Sequence, residues 1–231
     1  MDRKDAGGDA QQRCASPRGR REPAPGSTRM RPYLRGWPLV VAVPIAATEE
    51  QPIFYYDLGD PECYLVAERI MSALPVAPEW EPLLAADLGM IDPSPDRALI
   101  ERRAAELGIQ PLRWPERWPP DTSQAMLAAT YAKRIGRAVA FSLAAFRQAF
   151  AGGRDLGEED TVLIAGAACE VHPSALLKGV ALRSVGEALA GAVARARLAG
   201  VTSLQAIQVA DTVFEGTDGL EAAAAALGAL R

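Results

Sequence analysis

Histidine and cysteine are scarce in this chain of 231 residues. His172 is the single histidine, which excludes a metal centre built from several imidazoles. The three cysteines, Cys14, Cys63 and Cys169, are far apart and form no C-x-x-C pair. This spacing argues against a disulfide framework or a zinc site, and no metal cofactor is expected. A chain without a disulfide framework is most simply placed in a reducing cytoplasm.

Positive charge is also scarce outside the first segment of the chain. Residues 1–37 hold nine Arg and Lys residues against four acids, a net charge of +5. The whole chain carries a formal charge of −4, so the remaining residues carry −9. An acidic body of this kind does not attract nucleic acid non-specifically. We therefore expect no nucleic-acid partner.

No apolar run is long enough to span a bilayer. The longest candidate, residues 38–47, is short and contains Pro44, so stable membrane insertion is not expected. Arg31 and Arg35 precede this run, which gives it a faint likeness to a signal peptide starting at Met30. Export from Met30 thus remains an alternative to the cytoplasmic location. Residues 1–51 are predicted to be a disordered basic leader.

The segment from Ile53 to Leu65 carries the strongest local pattern. Ile53 to Tyr56 consists of β-favouring residues and predicts a short buried strand. Asp60-Pro61-Glu62 then predicts a helix start, because aspartate is a good N-cap and proline suits the first helical position. The helix is expected to continue to Ala73, which places Cys63 in its first turn.

Helical patterns dominate the middle of the chain, and strand patterns return near its end. Asp96 is expected to cap a helix over residues 97–107, and two Trp-Pro steps between residues 112 and 120 predict a rigid extended connector. Further helical patterns continue to Ala199. Residues 206–209 and 212–214 then predict a hairpin, followed by a closing helix over residues 221–230.

This order of elements predicts an α/β fold in which both ends of the chain build one sheet. Residues 52–92 and 200–231 would form the sheet domain. Residues 93–199 would form a helical insertion domain.

Several segments resemble a known family in order and spacing. Residues 54–65 resemble the F-Y-D-x-x-S-P-Y-x-Y-L opening of 2-hydroxychromene-2-carboxylate isomerases. These enzymes belong with DsbA and the kappa-class glutathione transferases. The connector with the start of the next helix (114–129), the G-R-D-L run (153–156), and the segments 200–205 and 214–218 resemble further family motifs. The resemblance implies a thioredoxin-like fold with a large helical insertion, as in DsbA.

Two residues depart from the family pattern at its site. The family position that carries cysteine in DsbA and serine in the isomerases falls on Asp60. The usual cis-proline that faces this position falls on Gln205, where we expect a trans bond because a non-proline cis bond costs about 3 kcal/mol. A DsbA-type dithiol cycle is not expected, since it needs two neighbouring thiols.

Asp60 and Cys63 are the candidate catalytic residues. Exposed helix N–H groups can activate a first-turn thiol, although the charges of Asp60 and Glu62 oppose a thiolate. Cys63 is alternatively a quiet, partly buried residue. Asp60 is either a helix cap or a group that accepts a proton from a bound thiol or substrate. As a cap bonded to N–H groups, it is expected to have a lowered pKa.

The resemblance also implies a groove for glutathione or another low-molecular-weight thiol. Leu204 and Gln205 fall where the family backbone pairs with such a cofactor, and Thr217 and Asp218 fall where its γ-glutamyl end is held. Trp114 and Trp118 are candidates for the wall of an aromatic-substrate pocket. Alternatively, the two tryptophans anchor the connector, and Thr217-Asp218 belongs to a turn.

The leading hypothesis is a thiol-dependent isomerase or transferase acting on a small aromatic substrate. One alternative is a degenerate, non-catalytic thioredoxin-fold protein that binds a ligand or partner. Another is a mono-thiol disulfide oxidoreductase that works through Cys63. The expected partner is a small-molecule substrate, and relatives in this family are often homodimers.

Overall fold

A four-stranded sheet brings the two ends of the described chain together. The computed structural model describes residues 51–229, so the leader with Cys14 and Met30 lies outside the described residues except for Gln51. The strands are β1 (Ile53–Tyr56), β2 (Glu79–Pro82), β3 (Ala206–Val209) and β4 (Thr212–Phe214). Their order across the sheet is β2-β1-β3-β4.

The sheet is mixed because its strands are connected in two ways. β1 and β2 are parallel, with Phe54 opposite Trp80. A parallel pair needs a crossover, and residues 57–78 supply it. β3 pairs antiparallel with both β1 and β4, and the β3–β4 hairpin lies where the sequence predicts it.

The crossover begins with α1 (Pro61–Ala67), and the single helix predicted to Ala73 is interrupted. A second short helix, α2 (Ile70–Ala73), starts after a break at Glu68 and Arg69. Glu68 accepts two hydrogen bonds from Arg147 at 2.7 and 2.8 Å, and Arg69 pairs with Glu221 at 2.5 Å. Both residues at the break are thus held by distant partners, which local sequence patterns do not reveal.

The secondary-structure elements between β2 and β3 are helices. Asp96 caps the predicted helix by accepting a hydrogen bond from the Leu99 N–H at 3.0 Å. A π-helical turn over Arg147–Ala151 extends the sixth helix. The helices of this region are α3 (Ala85–Leu88), α4 (Arg97–Glu106), α5 (Ser123–Arg134), α6 (Ala138–Phe146), α7 (Glu159–Ala168), α8 (Pro173–Val180) and α9 (Arg183–Ala199), and α10 (Gly219–Ala229) closes the described chain.

Aromatic side chains join the sheet to the helices. Phe54 and Tyr56 of β1 pack edge-on against Trp80 of β2, with ring centroids 5.2 and 5.5 Å apart. The Tyr56 ring also contacts Phe146 of α6 at 5.9 Å, and its hydroxyl lies 2.6 Å from the Ser142 hydroxyl. All these aromatic rings are almost fully buried. The sheet and α6 therefore share one core, which fixes the turn that follows β1.

Within residues 51–229 no helix has both the length and the apolarity required to cross a bilayer. The same range contains no group of three or more His, Cys, Asp or Glu residues arranged to hold a metal ion.

The turn after β1 leaves no room for a side chain at Gly59. A Cβ there would lie 2.7 Å from Thr122 Cγ2 and 3.1 Å from Pro120 Cγ. We predict that Gly59→Ala lowers the free energy of unfolding by about 1–3 kcal/mol, since the connector must shift to accept a methyl group. Urea unfolding measures this change.

Gly186, in the interior of α9, provides a matched control. A Cβ there meets no atom within 4 Å, so Gly186→Ala should stabilise the protein by about 0.5–1 kcal/mol through helix propensity. A Gly59→Ala protein as stable as the wild type would contradict the close contact between the turn and the connector.

Candidate active site

Asp60 caps α1 and places its carboxylate at the positive end of that helix. Its Oδ1 accepts a hydrogen bond from the Cys63 N–H at 2.7 Å, and its backbone is extended, as an N-cap requires. Pro61 occupies the first helical position. The predicted capping role is confirmed. The residue as a whole is partly exposed and lines two cavities.

A second carboxylate, Asp57, lies beneath this turn and is almost fully buried at 2% exposure. It accepts hydrogen bonds from the Gly59 N–H at 2.8 Å, the Ala85 N–H at 2.8 Å and the Thr122 hydroxyl at 3.2 Å. These donors satisfy both carboxylate oxygens. Burial raises the pKa of Asp57, while the hydrogen bonds oppose the rise. Asp57 thus ties β1, α3 and the connector together.

The pKa of Asp60 is raised to about 6, so the lowered pKa expected from its capping role is wrong. Burial is the largest cause, and the nearby charges of Asp57 and Glu62 act in the same direction. Hydrogen bonds from the Cys63 N–H and from the Cys63 side chain oppose the rise but do not reverse it.

Asp121, at an exposed position, provides a comparison for the pKa of Asp60. Its carboxylate accepts a hydrogen bond from the Ser123 N–H at 3.0 Å, and its pKa is lowered, chiefly by that bond. Asp60 and Asp121 thus make similar backbone bonds with opposite results for the pKa. The difference follows from burial and neighbouring charge, not from the capping bond.

Cys63 lies in the core and not on the surface of the site. Its side chain is completely inaccessible to solvent. Burial raises the pKa of the thiol well above its ordinary value, and the charge of Asp60 adds to the rise. Hydrogen bonds from the backbone of Asp57 and Gln205 to the sulfur lower the pKa but are outweighed. This environment disfavours the thiolate, which is the reactive form.

The first of two cavities beside Asp60 has a volume of about 310 Å³. Much of its wall is apolar and comes from the connector, the start of α4 and the loop before it. Acidic side chains stand among these apolar groups, and Trp118 lies on the connector side. The lining includes Asp60, Glu62, Met90, Leu99, Ile100 and Trp118.

The second cavity, of about 350 Å³, has a more polar wall. It lies towards the loop that precedes β3, and it includes Thr202, Ser203, Leu204 and Gln205 in its lining. Asp60, Glu62 and Met90 line both cavities. Asp60 therefore stands where a ligand in either cavity can approach its carboxylate.

Gln205 lies beside Cys63 and has an uncommon backbone conformation. Its φ is +52°, in the left-handed region that non-glycine residues seldom occupy. Among residues 51–229 the only cis peptide bond is Trp118–Pro119, so the bond before Gln205 is trans, as expected. The side chain is 6% exposed, and its Oε1 has no hydrogen-bond partner within the described chain.

Of the other predicted site residues, some line a cavity and others do not. Trp118 lines the first cavity, whereas Trp114 does not. The two rings pack edge to face at 5.2 Å, and the Arg97 guanidinium lies 4.7 Å from the Trp114 ring. Thr217 and Asp218 are exposed and line neither cavity, although the preceding Gly216 lines the second.

Two further acidic residues, Asp57 and Glu62, line the first cavity without having been predicted as site residues. Asp57 directly follows an apolar strand, a position where a carboxylate must find internal donors. Glu62 lines both cavities and pairs with Arg103 of α4. Burial raises the pKa of Glu62, and the charge of Arg103 opposes the rise. The position of Asp57 directly after an apolar strand could have indicated its buried role. The Glu62–Arg103 ion pair could not be predicted from the local sequence.

Comparisons with known proteins agree on the fold. No protein-family model matches the chain, and no curated protein matches it. A 2-hydroxychromene-2-carboxylate isomerase structure is similar with a TM-score of 0.69 and 18% identity, over 78% of this chain and 95% of that one. A probable DsbA oxidoreductase from Streptomyces coelicolor gives a TM-score of 0.60 and 18% identity, over 78% and 88% of the two chains.

SrgA from Salmonella enterica serovar Typhimurium gives a TM-score of 0.50 and 14% identity, over 81% of this chain and 96% of that one. Likenesses at these identities show the fold alone. The chain has the DsbA-like thioredoxin fold, with a mixed sheet and many helices, and the predicted fold class is confirmed.

The burial of Cys63 predicts a thiol that is nearly inert in the folded protein. In a Cys14→Ser, Cys169→Ser background, alkylation of Cys63 near neutral pH should be at least about 100-fold slower than that of free glutathione. The cause is the raised pKa together with the inaccessible sulfur. Mass spectrometry after timed iodoacetamide treatment measures the rate, and guanidinium chloride provides the unfolded control. Rapid alkylation of the native protein would contradict this structure of the site.

Proposed function

We propose that this protein is an enzyme that uses glutathione or a similar low-molecular-weight thiol to isomerise, or to transfer the thiol to, a small aromatic substrate. The observation that carries the proposal is the Asp60 carboxylate, which has a pKa of about 6 and lies where the two cavities meet. A general base works best when its pKa is near the working pH. Asp60 is the base in this proposal.

The raised pKa matters because the proton donor would be a thiol. An ordinary thiol has a pKa of about 8.5 and an ordinary aspartate one of about 3.9, so proton transfer between them costs about 6 kcal/mol. With the Asp60 pKa at about 6, the cost falls to about 3 kcal/mol. Burial among carboxylates thus removes about half of the unfavourable free energy of the transfer.

The polar second cavity is the better place for a thiol cofactor. A bound thiol supplies a nucleophile that can add to a conjugated double bond and leave again, so that rotation occurs without net oxidation or reduction. Asp60 accepts the thiol proton and returns it afterwards. Leu204 and Gln205 line this cavity, and the orphaned Oε1 of Gln205 is an acceptor that fits a peptide-like ligand.

The apolar first cavity is the better place for an aromatic substrate. Small-molecule sites are concave, mostly apolar and marked by a few convergent polar groups. Trp118 supplies an aromatic wall, while Leu99 and Ile100 supply aliphatic surface. Asp60 is the polar group that faces both ligands, and its other oxygen stays fixed by the Cys63 N–H.

The buried thiol of Cys63 does not favour the mono-thiol alternative. A disulfide exchange through Cys63 would need the sulfur to reach solvent and ionise, and its burial opposes both. The proposal gives Cys63 a packing role beneath the capped turn. A non-catalytic binding protein is the competing function, and the experiment below separates it from the enzyme.

Replacement of Asp60 tests the proposal. We predict that Asp60→Asn lowers kcat/KM for glutathione-dependent isomerisation of small aromatic enones by about 10²–10⁴-fold, because the base is lost while an asparagine can still cap α1. The base acts when deprotonated, so the wild-type rate should rise with pH through about 6 and then level off. This limb should vanish in Asp60→Asn. Ultraviolet absorbance follows the isomerisation.

Asp121→Asn is the matched control, since it removes a carboxylate that also accepts a backbone N–H bond but lines neither cavity. Its kcat/KM and pH profile should equal those of the wild type. Turnover without a thiol, or unchanged turnover in Asp60→Asn, would contradict the proposed role of Asp60. Thiol-dependent stabilisation without turnover of any substrate tested would favour the binding protein.

A further inference from the structure

The wall of the first cavity carries an excess of negative charge. The acidic residues that line this cavity are Asp57, Asp60, Glu62, Asp92 and Asp96. No Lys, Arg or His of residues 51–229 is among the lining residues. Only one of the acids, Glu62, has a cationic partner within the described chain, Arg103 of α4. Carboxylates beside apolar surface produce a negative potential, which attracts cations and repels anions.

The pKa values of three of these acids agree with this excess. Burial raises the pKa of Asp57, Asp60 and Glu62, and at Asp60 the charges of the other two add to the rise. Hydrogen bonds oppose the rise at Asp57 and Asp60, whereas the positive charge of Arg103 opposes it at Glu62. Within the described chain, Asp57 and Asp60 thus lack the cationic compensation that Glu62 has. A bound cation would supply it.

The same wall offers an anion few hydrogen-bond donors. Four of the lining residues have no N–H because they are prolines, namely Pro61, Pro95, Pro119 and Pro120. Asp57 engages three further donors of the wall at 2.8 to 3.2 Å. The indole N–H of Trp118 donates to the carbonyl of Asp92 at 3.2 Å. A carboxylate that entered this cavity would therefore lose hydration and gain few hydrogen bonds in exchange.

Two arginines of α4 lie close to this wall, and both are engaged elsewhere. Arg103 pairs with Glu62. The Arg97 guanidinium lies 4.7 Å from the centre of the Trp114 ring and 5.8 Å from that of the Trp118 ring. Neither arginine is among the lining residues. The charge of Arg97 offsets at most one of the four carboxylates that have no ion-pair partner in residues 51–229.

We propose that the first cavity selects a cationic substrate, an aromatic ring that carries an amine, and rejects aromatic carboxylates. The inference rests on the proposed function, because it specifies the charge of the aromatic substrate. The ring lies among the apolar side chains of the wall and Trp118, and the ammonium is held by the negative potential of the acids. Asp92 and Asp96 are exposed and line this cavity but not the second, so they contribute to the charge selection of the first cavity alone.

Binding of three matched probes tests this inference without a thiol and without turnover. Benzylamine carries an ammonium, benzyl alcohol a neutral hydroxyl and benzoate a carboxylate, each on the same ring. In ¹H–¹⁵N spectra, the shift of the Trp118 indole signal, assigned by comparison with Trp118→Phe, gives the affinity of each probe. Benzylamine should bind at least about tenfold more tightly than benzyl alcohol, and benzoate more weakly than either, because the carboxylates attract an ammonium and repel an anion.

Two double variants locate the charge preference. Asp92→Asn with Asp96→Asn should lower the affinity for benzylamine at least about threefold and leave that for benzyl alcohol unchanged. Asparagine can still cap α4, so the fold is kept. Glu187→Gln with Asp211→Asn removes the same charge from exposed residues that line neither cavity, and it should change the benzylamine affinity less than about twofold, since distant exposed charges are screened.

The inference is overturned if benzyl alcohol or benzoate binds as tightly as benzylamine, if the two double variants lower the benzylamine affinity equally, or if no probe shifts the Trp118 signal. Failure of the proposed function gives a different pattern. A preference for benzylamine without thiol-dependent turnover of any aromatic substrate would remove the thiol chemistry and leave the charge selection intact. Thiol-dependent turnover with equal binding of all three probes would do the reverse.

Discussion

The hydrogen bond from the Cys63 N–H to the Asp60 carboxylate is the interaction on which the candidate site depends. It caps α1 and holds one oxygen of Asp60, a residue that lines both cavities. The same turn directs the Cys63 side chain into the core. In this turn the residue that lines both cavities is thus an acid, and the nearby thiol is buried.

Burial, more than this hydrogen bond, determines the pKa of Asp60. At Asp121 a similar bond in solvent lowers the pKa, whereas at Asp60 desolvation and the charge of Asp57 raise it to about 6. Asp57 and Asp60 therefore have different roles. Asp57 is satisfied by three donors and joins β1 to the starts of α3 and α5. Asp60 lines both cavities and has a pKa suited to proton transfer near neutral pH.

The sequence predicted features that arise from local chemistry. The strand at Ile53–Tyr56, the cap at Asp60 and the β3–β4 hairpin all follow from short-range preferences, and the structure has them. The pKa of Asp60 could not be predicted in this way. Its rise depends on burial, which comes from chain segments distant in sequence, such as the connector that ends near Pro120.

The burial of Gln205 and its unsatisfied Oε1 were equally unpredictable, because they depend on packing between segments distant in sequence. Thr217, Asp218 and Trp114 show the converse case. Family resemblance suggested Thr217 and Asp218, and the position of the connector suggested Trp114. The structure puts none of the three in the lining of either cavity.

Titration of the Asp60 carboxyl tests whether this residue has the basicity that the proposed function requires. ¹³C NMR of the protein with labelled aspartate, assigned by comparison with Asp60→Asn, follows this carboxyl between about pH 3 and pH 8. We predict a titration midpoint near 6 for Asp60 and a midpoint below the ordinary aspartate value of about 3.9 for Asp121. An Asp60 midpoint at or below about 4 would contradict the account, because the carboxylate would then be a helix cap without the basicity that its proposed chemistry requires.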